Sequence, residues 1–115
     1  GEGEGEGEYM DPARHTGDQD FNNQISLSEL LRVIQFFNSG GFACAASASA
    51  TEDGYVPGAG DYSTCRQHSS DYNLRDGQIS LSELLRLIQF FNSGGYRYCP
   101  DANPPTEDGY CVGLD

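Results

Sequence analysis

Lysine and tryptophan are absent from this chain of 115 residues, and its six basic side chains are all arginines. Eighteen acidic residues give a formal net charge of −12, so we expect no nucleic-acid partner, because such partners require a basic surface. No apolar run approaches the roughly 20 residues needed to cross a bilayer. A nucleophile–base arrangement, a phosphate-binding loop and a cofactor fingerprint are also missing, and the sequence therefore predicts that the protein is not an enzyme.

One stretch of the chain is present twice. ISLSELLRVIQFFNSGGF occupies residues 25–42, and ISLSELLRLIQFFNSGGY occupies residues 79–96. The string TEDGY follows each copy, and its Asp-Gly pair is typical of a turn rather than of an acidic active site. Such duplication in so short a chain indicates two equivalent structural units. The two copies differ only at Val33/Leu87 and at Phe42/Tyr96.

Each copy has the pattern of a short amphipathic helix. The S-x-x-E that begins it, Ser26 to Glu29 in the first copy, fits a capping box. The paired glycines that end it are a helix stop. The spacing predicts helices at about 27–38 and 81–92, whose apolar faces pack on each other. In the first helix the apolar stripe expected in the core is Leu30, Leu31, Ile34 and Phe37, widened by Val33 and Phe36.

An acidic loop precedes the first helix, at residues 18–29. With Glu29 as position 12 of a calcium loop, oxygen-bearing residues fall at positions 1, 3, 5 and 7, the last acting through its backbone carbonyl. Asn23 stands where glycine is usual, and asparagine tolerates the left-handed turn required there. Calcium takes six to eight oxygens, so the pattern predicts a calcium site. The predicted ligands are Asp18, Asp20, Asn22, Gln24 and Glu29.

The second loop, at residues 71–83, departs from this spacing by one residue. A bulge at Leu74-Arg75 would accommodate the extra residue and bring the ligands around a second calcium ion. The alternative for both loops is a solvated turn, rich in Asp and Asn, that only caps a helix. That alternative does not explain a ligand-like spacing that ends in Glu twice. The predicted second-site ligands are Asp71, Asn73, Asp76, Gln78 and Glu83.

A tandem calcium loop with an exit helix, and without an entering helix, resembles the dockerin modules, which are EF-hand-like. The D-x-N-x-D-G-x-I-x-x-x-E-L-L style of residues 73–85, repeated over 18–31, carries this resemblance. It implies an extracellular, calcium-dependent module that attaches a larger secreted protein, such as a hydrolase, to a cohesin partner. In that family the residues at loop positions 10 and 11 often contact the partner and determine specificity. In this chain these positions are Leu27-Ser28 in the first loop and Leu81-Ser82 in the second.

The chain contains four cysteines, and only 37% of its residues are hydrophobic. A core built from so few apolar residues is too weak to be stable without cross-links. The even number of cysteines predicts two disulfides and an extracellular or cell-surface location. Three pairings are open. The repeat favours Cys44–Cys65 with Cys99–Cys111, because one cysteine of each unit follows the helix and the other follows TEDGY. A zinc site is the rival interpretation, but no C-x-x-C pair supports it.

Residues 1–8 alternate glycine and glutamate, which places all four carboxylates on one side of an extended strand. We expect an arm that joins copies of the chain by adding to a sheet edge or lying in a groove. A flexible acidic linker is the alternative. His15 and His68 each precede an acidic loop and are interpreted as equivalent structural residues rather than a catalytic pair. The candidate O-glycan acceptors are Ser47, Ser49 and Thr51.

The predicted fold is small and mainly α, with much irregular structure: two calcium-loop–helix repeats packed together and stapled by disulfides. The arm covers residues 1–10, the first repeat 11–63 and the second repeat 64–115. The predicted function is that of a secreted calcium-binding structural protein, a subunit of an extracellular filament or cell-surface scaffold that binds copies of itself through the arm. The alternatives are a dockerin-like attachment module and a calcium buffer.

Overall fold

The computed structural model describes residues 14–47 and 50–114, and each repeat in it consists of a loop, a helix and a hairpin. The predicted arm and the candidate glycan acceptor Ser49 lie outside the described residues. In the first repeat, helix α1 (Leu27–Asn38) is followed by strands β1 (Phe42–Cys44) and β2 (Tyr55–Pro57). In the second, helix α2 (Leu81–Asn92) is followed by β3 (Tyr96–Tyr98) and β4 (Tyr110–Val112).

The prediction of a mainly α fold is wrong, because both repeats also contain a two-stranded antiparallel sheet and the chain is therefore mixed α/β. Phe42 lies opposite Pro57 in the first sheet, and Tyr96 lies opposite Val112 in the second. The tyrosine that ends each TEDGY string begins β2 or β4. Strands of three residues are too short to show the alternation that marks a strand in sequence, so the sequence did not predict them.

The predicted capping box is present at the start of both helices. In α1, the Ser26 side chain accepts a hydrogen bond from the Glu29 N–H at 3.2 Å, and the Glu29 carboxylate accepts one from the Ser26 N–H at 2.8 Å. Ser80 and Glu83 form the same pair of bonds at α2. After each helix the chain turns away through a left-handed glycine, with φ 84° at Gly40.

The two helices contact each other, as predicted, but only part of the predicted apolar stripe is buried. Leu30 is buried, whereas Leu31 is 52% exposed and Phe37 is 37% exposed. The core face is the i, i+3, i+6 set Leu30, Val33 and Phe36, so the two residues expected only to widen the stripe lie at its centre, in one cluster with the hairpin aromatics. In the second repeat the same face consists of Leu84, Leu87 and Phe90.

Each of the two histidines is buried among aromatic rings of the opposite repeat. His15 packs on second-repeat rings with centroid separations of 5.2–5.8 Å. His68 packs on first-repeat rings with separations of 5.0–5.8 Å. The rings are Phe90, Tyr96 and Tyr110 around His15, and Phe36, Phe42 and Tyr55 around His68. The segment before each loop thereby fills the core of the other repeat, and neither repeat has a complete core alone.

Polar contacts repeat this exchange between the halves. The Thr16 N–H donates to Ser69 Oγ at 3.0 Å, and the Ser69 N–H donates to Thr16 Oγ1 at 2.6 Å. Each histidine also accepts a bond at Nδ1 from the backbone two residues later, from Gly17 at 3.0 Å and from Ser70 at 3.1 Å. The imidazole orientation is thus fixed by the chain itself, which supports the structural interpretation of both histidines.

Two disulfides fasten the hairpins, and they confirm the pairing that the repeat favoured: Cys44–Cys65 and Cys99–Cys111. Ion pairs fasten the TEDGY turns to the helices, with Arg32 to Asp53 at 2.9 Å and Arg86 to Asp108 at 3.1 Å. The acid of each turn therefore serves to anchor it. Within the described residues, neither helix has the length and apolar character required to span a membrane.

The buried His68 predicts a specific pH dependence of stability. Burial lowers the pKa of His68 to about 4, whereas in the unfolded chain it lies near 6.5. The unfolded state therefore takes up the proton first, so the stability that neutral His68 contributes is present above about pH 6.5 and is lost as pH falls toward 4. Relative to His68→Phe, which keeps an aromatic ring, the wild type should lose about 2 kcal/mol of unfolding free energy between pH 7 and about 4.5.

Urea unfolding of both proteins at the two pH values measures this difference. The comparison cancels the titration of the loop carboxylates, which occurs in both proteins. An equal gap between the two proteins at both pH values would contradict a neutral, buried His68.

Candidate metal centre

Glu29 folds the first acidic loop back onto the start of helix α1. While Glu29 Oε1 completes the capping box, Glu29 Oε2 accepts hydrogen bonds from the N–H groups of Gln19 at 2.8 Å and Asp20 at 3.3 Å. Ser26 and Glu29 are loop positions 9 and 12, so the capping box and the end of the predicted calcium loop are the same residues. The helix start thus fixes where the Glu29 carboxylate lies.

Asp18 is the first residue of the loop, and its side chain lies inside the loop with no exposed surface. Its Oδ1 accepts a hydrogen bond from the Asn22 N–H at 3.2 Å. Its Oδ2 accepts one from the Asn23 N–H at 2.9 Å and one from the Tyr96 hydroxyl at 2.7 Å. Asn23 has φ 61°, the left-handed conformation that its place in the loop predicted. The loop therefore wraps around the Asp18 carboxylate.

Three acids converge at this point. One oxygen from each of Asp18, Asp20 and Glu29 lies within 4.8 Å of the other two. Asp20 is exposed, whereas Asp18 and Glu29 are buried, and burial raises the pKa of both buried carboxyls above their ordinary range. The helix arginines Arg32 and Arg86 form ion pairs with Asp53 and Asp108 rather than with these three acids. The arrangement concentrates oxygen donors and negative charge, which a hard cation would neutralise.

The other two predicted ligands of the first site lie on the outer part of the loop. Asn22 is exposed, and its Oδ1 accepts a hydrogen bond from the Gln24 N–H at 3.0 Å. The Gln24 side chain is exposed too. Access from solvent is open, because Asp20 and Glu29 line a surface groove of about 690 Å³ beside α1. Asp20 and Glu29 are therefore reached from this groove, whereas the buried Asp18 does not line it.

The second loop has the same framework with one extra residue. Asp71 is fully buried, and its carboxylate accepts bonds from the Asp76 N–H at 3.4 Å and the Gly77 N–H at 3.0 Å. Glu83 accepts from the Asn73 N–H at 3.0 Å, as Glu29 does from Asp20. These bonds equate Asn73 with Asp20 and Gly77 with Asn23. The extra residue therefore lies between Asn73 and Asp76, at the site of the predicted bulge.

The second loop differs from the first in its acids. Asn73 replaces an aspartate, and among the described residues only the first loop brings three acidic side chains together. Asp76 Oδ1 accepts from the Gln78 N–H at 3.0 Å, and the Gln78 side chain is exposed. Burial raises the pKa of Asp71 to about 7. Both predicted ligand sets contain three acids, because Asp76 takes the place of Asn22, but the acids of the second loop do not converge as those of the first do.

Sequence reasoning missed Tyr96, which reaches the first loop from the opposite repeat. Its hydroxyl accepts a hydrogen bond from the His15 N–H at 3.0 Å and donates to Asp18. Burial raises the pKa of Tyr96, so the hydroxyl keeps its proton and remains a donor. The signal was present in the sequence, because Phe42/Tyr96 is one of only two differences between the copies.

The left-handed backbone of Asn23 predicts a contrast between two substitutions. A non-glycine residue other than Asn or Asp at this φ costs on the order of 1–2 kcal/mol, whereas glycine adopts it freely. Asn23→Ala should therefore lower the unfolding free energy by about 1 kcal/mol relative to Asn23→Gly. Urea unfolding of the calcium-free proteins measures this, and equal stability of the two variants would contradict the loop conformation.

Comparison with known proteins leaves the function to be inferred from this geometry. The sequence matches no protein-family model and no curated protein, and no solved structure matches it. The duplicated loops and the convergence of Asp18, Asp20 and Glu29 are therefore the features on which a functional argument must rest.

Proposed function

We propose that this chain is a calcium-binding structural module, with a first ion held by the loop that contains Asp18, Asp20 and Glu29. The observation that carries the proposal is the approach of one oxygen from each of these acids to within 4.8 Å of the others. These acids stand at positions 1, 3 and 12 of the loop pattern. The convergence in space and the spacing in sequence therefore support the same ligand set.

The chemistry of the donors favours calcium over softer metals. Every donor in the loop is an oxygen, which suits a hard cation. The four cysteines are unavailable as zinc ligands, because all of them form disulfides. Asn22 and the Gln24 carbonyl are the further oxygens that would complete the six to eight that calcium takes. Magnesium demands a near-ideal octahedron and keeps several waters, so it is less suited to a loop that supplies most of the ligands itself.

Calcium would act on folding rather than on a reaction. Buried carboxylates without a counter-charge destabilise a small domain, and a bound divalent ion reverses that cost. The same ion would connect Asp18 at the start of the loop to Glu29 in the first turn of α1. Asp71, Asn73, Asp76, Glu83 and the Gln78 carbonyl would hold a second, weaker ion. The protein is then a non-catalytic module that calcium makes rigid.

The biological setting follows from the same features. Two disulfides in a small domain are compatible with an extracellular location. We propose a secreted assembly protein that binds copies of itself through its N-terminal arm, in a filament or a cell-surface scaffold. A dockerin-like attachment module is the second candidate. Exposed leucine pairs at the start of both helices favour it, Leu27 with Leu31 and Leu81 with Leu85.

Calcium binding is tested by matched variants of the two closing glutamates. Glu29→Gln and Glu83→Gln keep an oxygen for the capping box but remove one charge from each loop. Calorimetric titration of the oxidised wild type should give two calcium ions, and each variant should lose one of them. Asp101→Asn is the control for charge alone, because Asp101 is exposed and outside both loops.

If the sites have the calcium affinity typical of extracellular modules, about 10 mM calcium should raise the unfolding free energy by about 1–3 kcal/mol per site. Thermal unfolding of the wild type should therefore shift upward in calcium and return in chelator. Absence of saturable binding to the wild type, or equal stoichiometry in all four proteins, would refute the proposal.

Assembly is tested by sedimentation velocity in millimolar calcium and in excess chelator. If the arm joins copies of a calcium-ordered module, large species should form in calcium and dissociate in chelator. They should also be absent from a chain that lacks residues 1–10. A compact monomer in calcium would refute self-assembly and leave the attachment module as the better candidate.

A further inference from the structure

We propose that Tyr96 is a positioning residue for the first calcium site, and that its hydroxyl makes this site bind more tightly than the second. The proposal rests on the proposed calcium function and adds a determinant that lies outside the loop sequence. It identifies a residue of the second repeat as a regulator of affinity in the first.

The contacts of Asp18 show how the hydroxyl acts. Tyr96 donates to Asp18 Oδ2 at 2.7 Å, and the Asn23 N–H donates to the same oxygen at 2.9 Å. Oδ1 has a longer bond, from the Asn22 N–H at 3.2 Å. Two short bonds on Oδ2 fix the plane of the carboxylate and leave Oδ1 as the oxygen better able to coordinate an ion. Outer-shell hydrogen bonds of this kind orient ligating carboxylates and tune metal affinity.

Tyr96 is itself held in place from two sides. Its ring is fully buried and packs against His15, with centroids 5.8 Å apart. Its hydroxyl accepts the His15 N–H, and its own N–H donates to the Asn23 carbonyl at 3.0 Å. Tyr96 therefore contacts the loop at two places, at Asp18 where the loop starts and at Asn23 in its central turn. Its position is fixed before any ion binds.

The second loop provides an internal comparison, because its equivalent residue is Phe42. The Phe42 N–H donates to the Gly77 carbonyl at 2.8 Å, and the buried ring packs against His68, as Tyr96 does with His15. Phe42 has no hydroxyl to give to Asp71, whose carboxylate bonds come from the Asp76 and Gly77 N–H groups. An aromatic residue of the opposite repeat therefore supports each loop, and of the two only Tyr96 donates a side-chain hydrogen bond to the loop carboxylate.

The experiment measures each site alone. In the Glu83→Gln background only the first site remains, and in the Glu29→Gln background only the second remains. Adding Tyr96→Phe removes one hydroxyl and keeps the ring. Calcium affinity of the first site should fall about tenfold, while that of the second site should change less than about twofold.

Tyr55→Phe is the matched control. Tyr55 is the buried tyrosine of the first hairpin, and its hydroxyl donates to the Arg66 carbonyl rather than to a loop acid. If loss of any buried tyrosine hydroxyl loosened the fold enough to weaken calcium, Tyr55→Phe would weaken the first site as well. We expect no change in first-site affinity for this variant.

The outcomes separate this inference from the function on which it rests. Absence of calcium binding to the Glu83→Gln protein would overturn the proposed function. Normal first-site affinity in Tyr96→Phe would leave calcium binding intact and overturn only the role of Tyr96. Equal weakening of both sites would also overturn it, because it would show that the hydroxyl serves general stability.

Discussion

Each acidic loop of this chain depends on the opposite repeat. The segment before the first loop inserts His15 among the aromatics of the second hairpin, and His68 enters the first hairpin in return. The backbone bonds from Phe42 to Gly77 and from Tyr96 to Asn23 then support each loop from the other side. Since neither half can satisfy its own core, the two repeats fold as one unit.

The excess of negative charge is the second constraint on this fold. Eighteen acids face six arginines, and two of those arginines are used to anchor the TEDGY turns. The buried carboxylates of Asp18 and Glu29 accept hydrogen bonds from backbone N–H groups, and Asp18 accepts one from the Tyr96 hydroxyl as well, which orient them without neutralising them. Neutral donors are a weak substitute for a cation in a domain with so small a core. This imbalance is the physical argument for the proposed metal ion over a purely structural turn.

The sequence predicted what is local and what is duplicated. The capping box needs only Ser26 and Glu29, and the disulfide pairing followed from the positions of the cysteines relative to the repeat. The hairpins were not predicted, because strands of three residues are too short to show the alternation of apolar and polar residues. The exposure of Leu31 was not predicted either, because packing against the hairpin determines which face of α1 is buried. The exchange of His15 and His68 also escaped, since spacing within one repeat says nothing about which repeat a side chain enters.

The two differences between the copies mark where the two halves are physically unequal. Val33 and Leu87 occupy equivalent places in the core, where both side chains are buried and differ by one methylene. Phe42 against Tyr96 changes little in volume but adds one donor, and that donor meets the Asp18 carboxylate. One difference therefore adjusts packing, and the other distinguishes the two loops chemically while their backbone support stays the same.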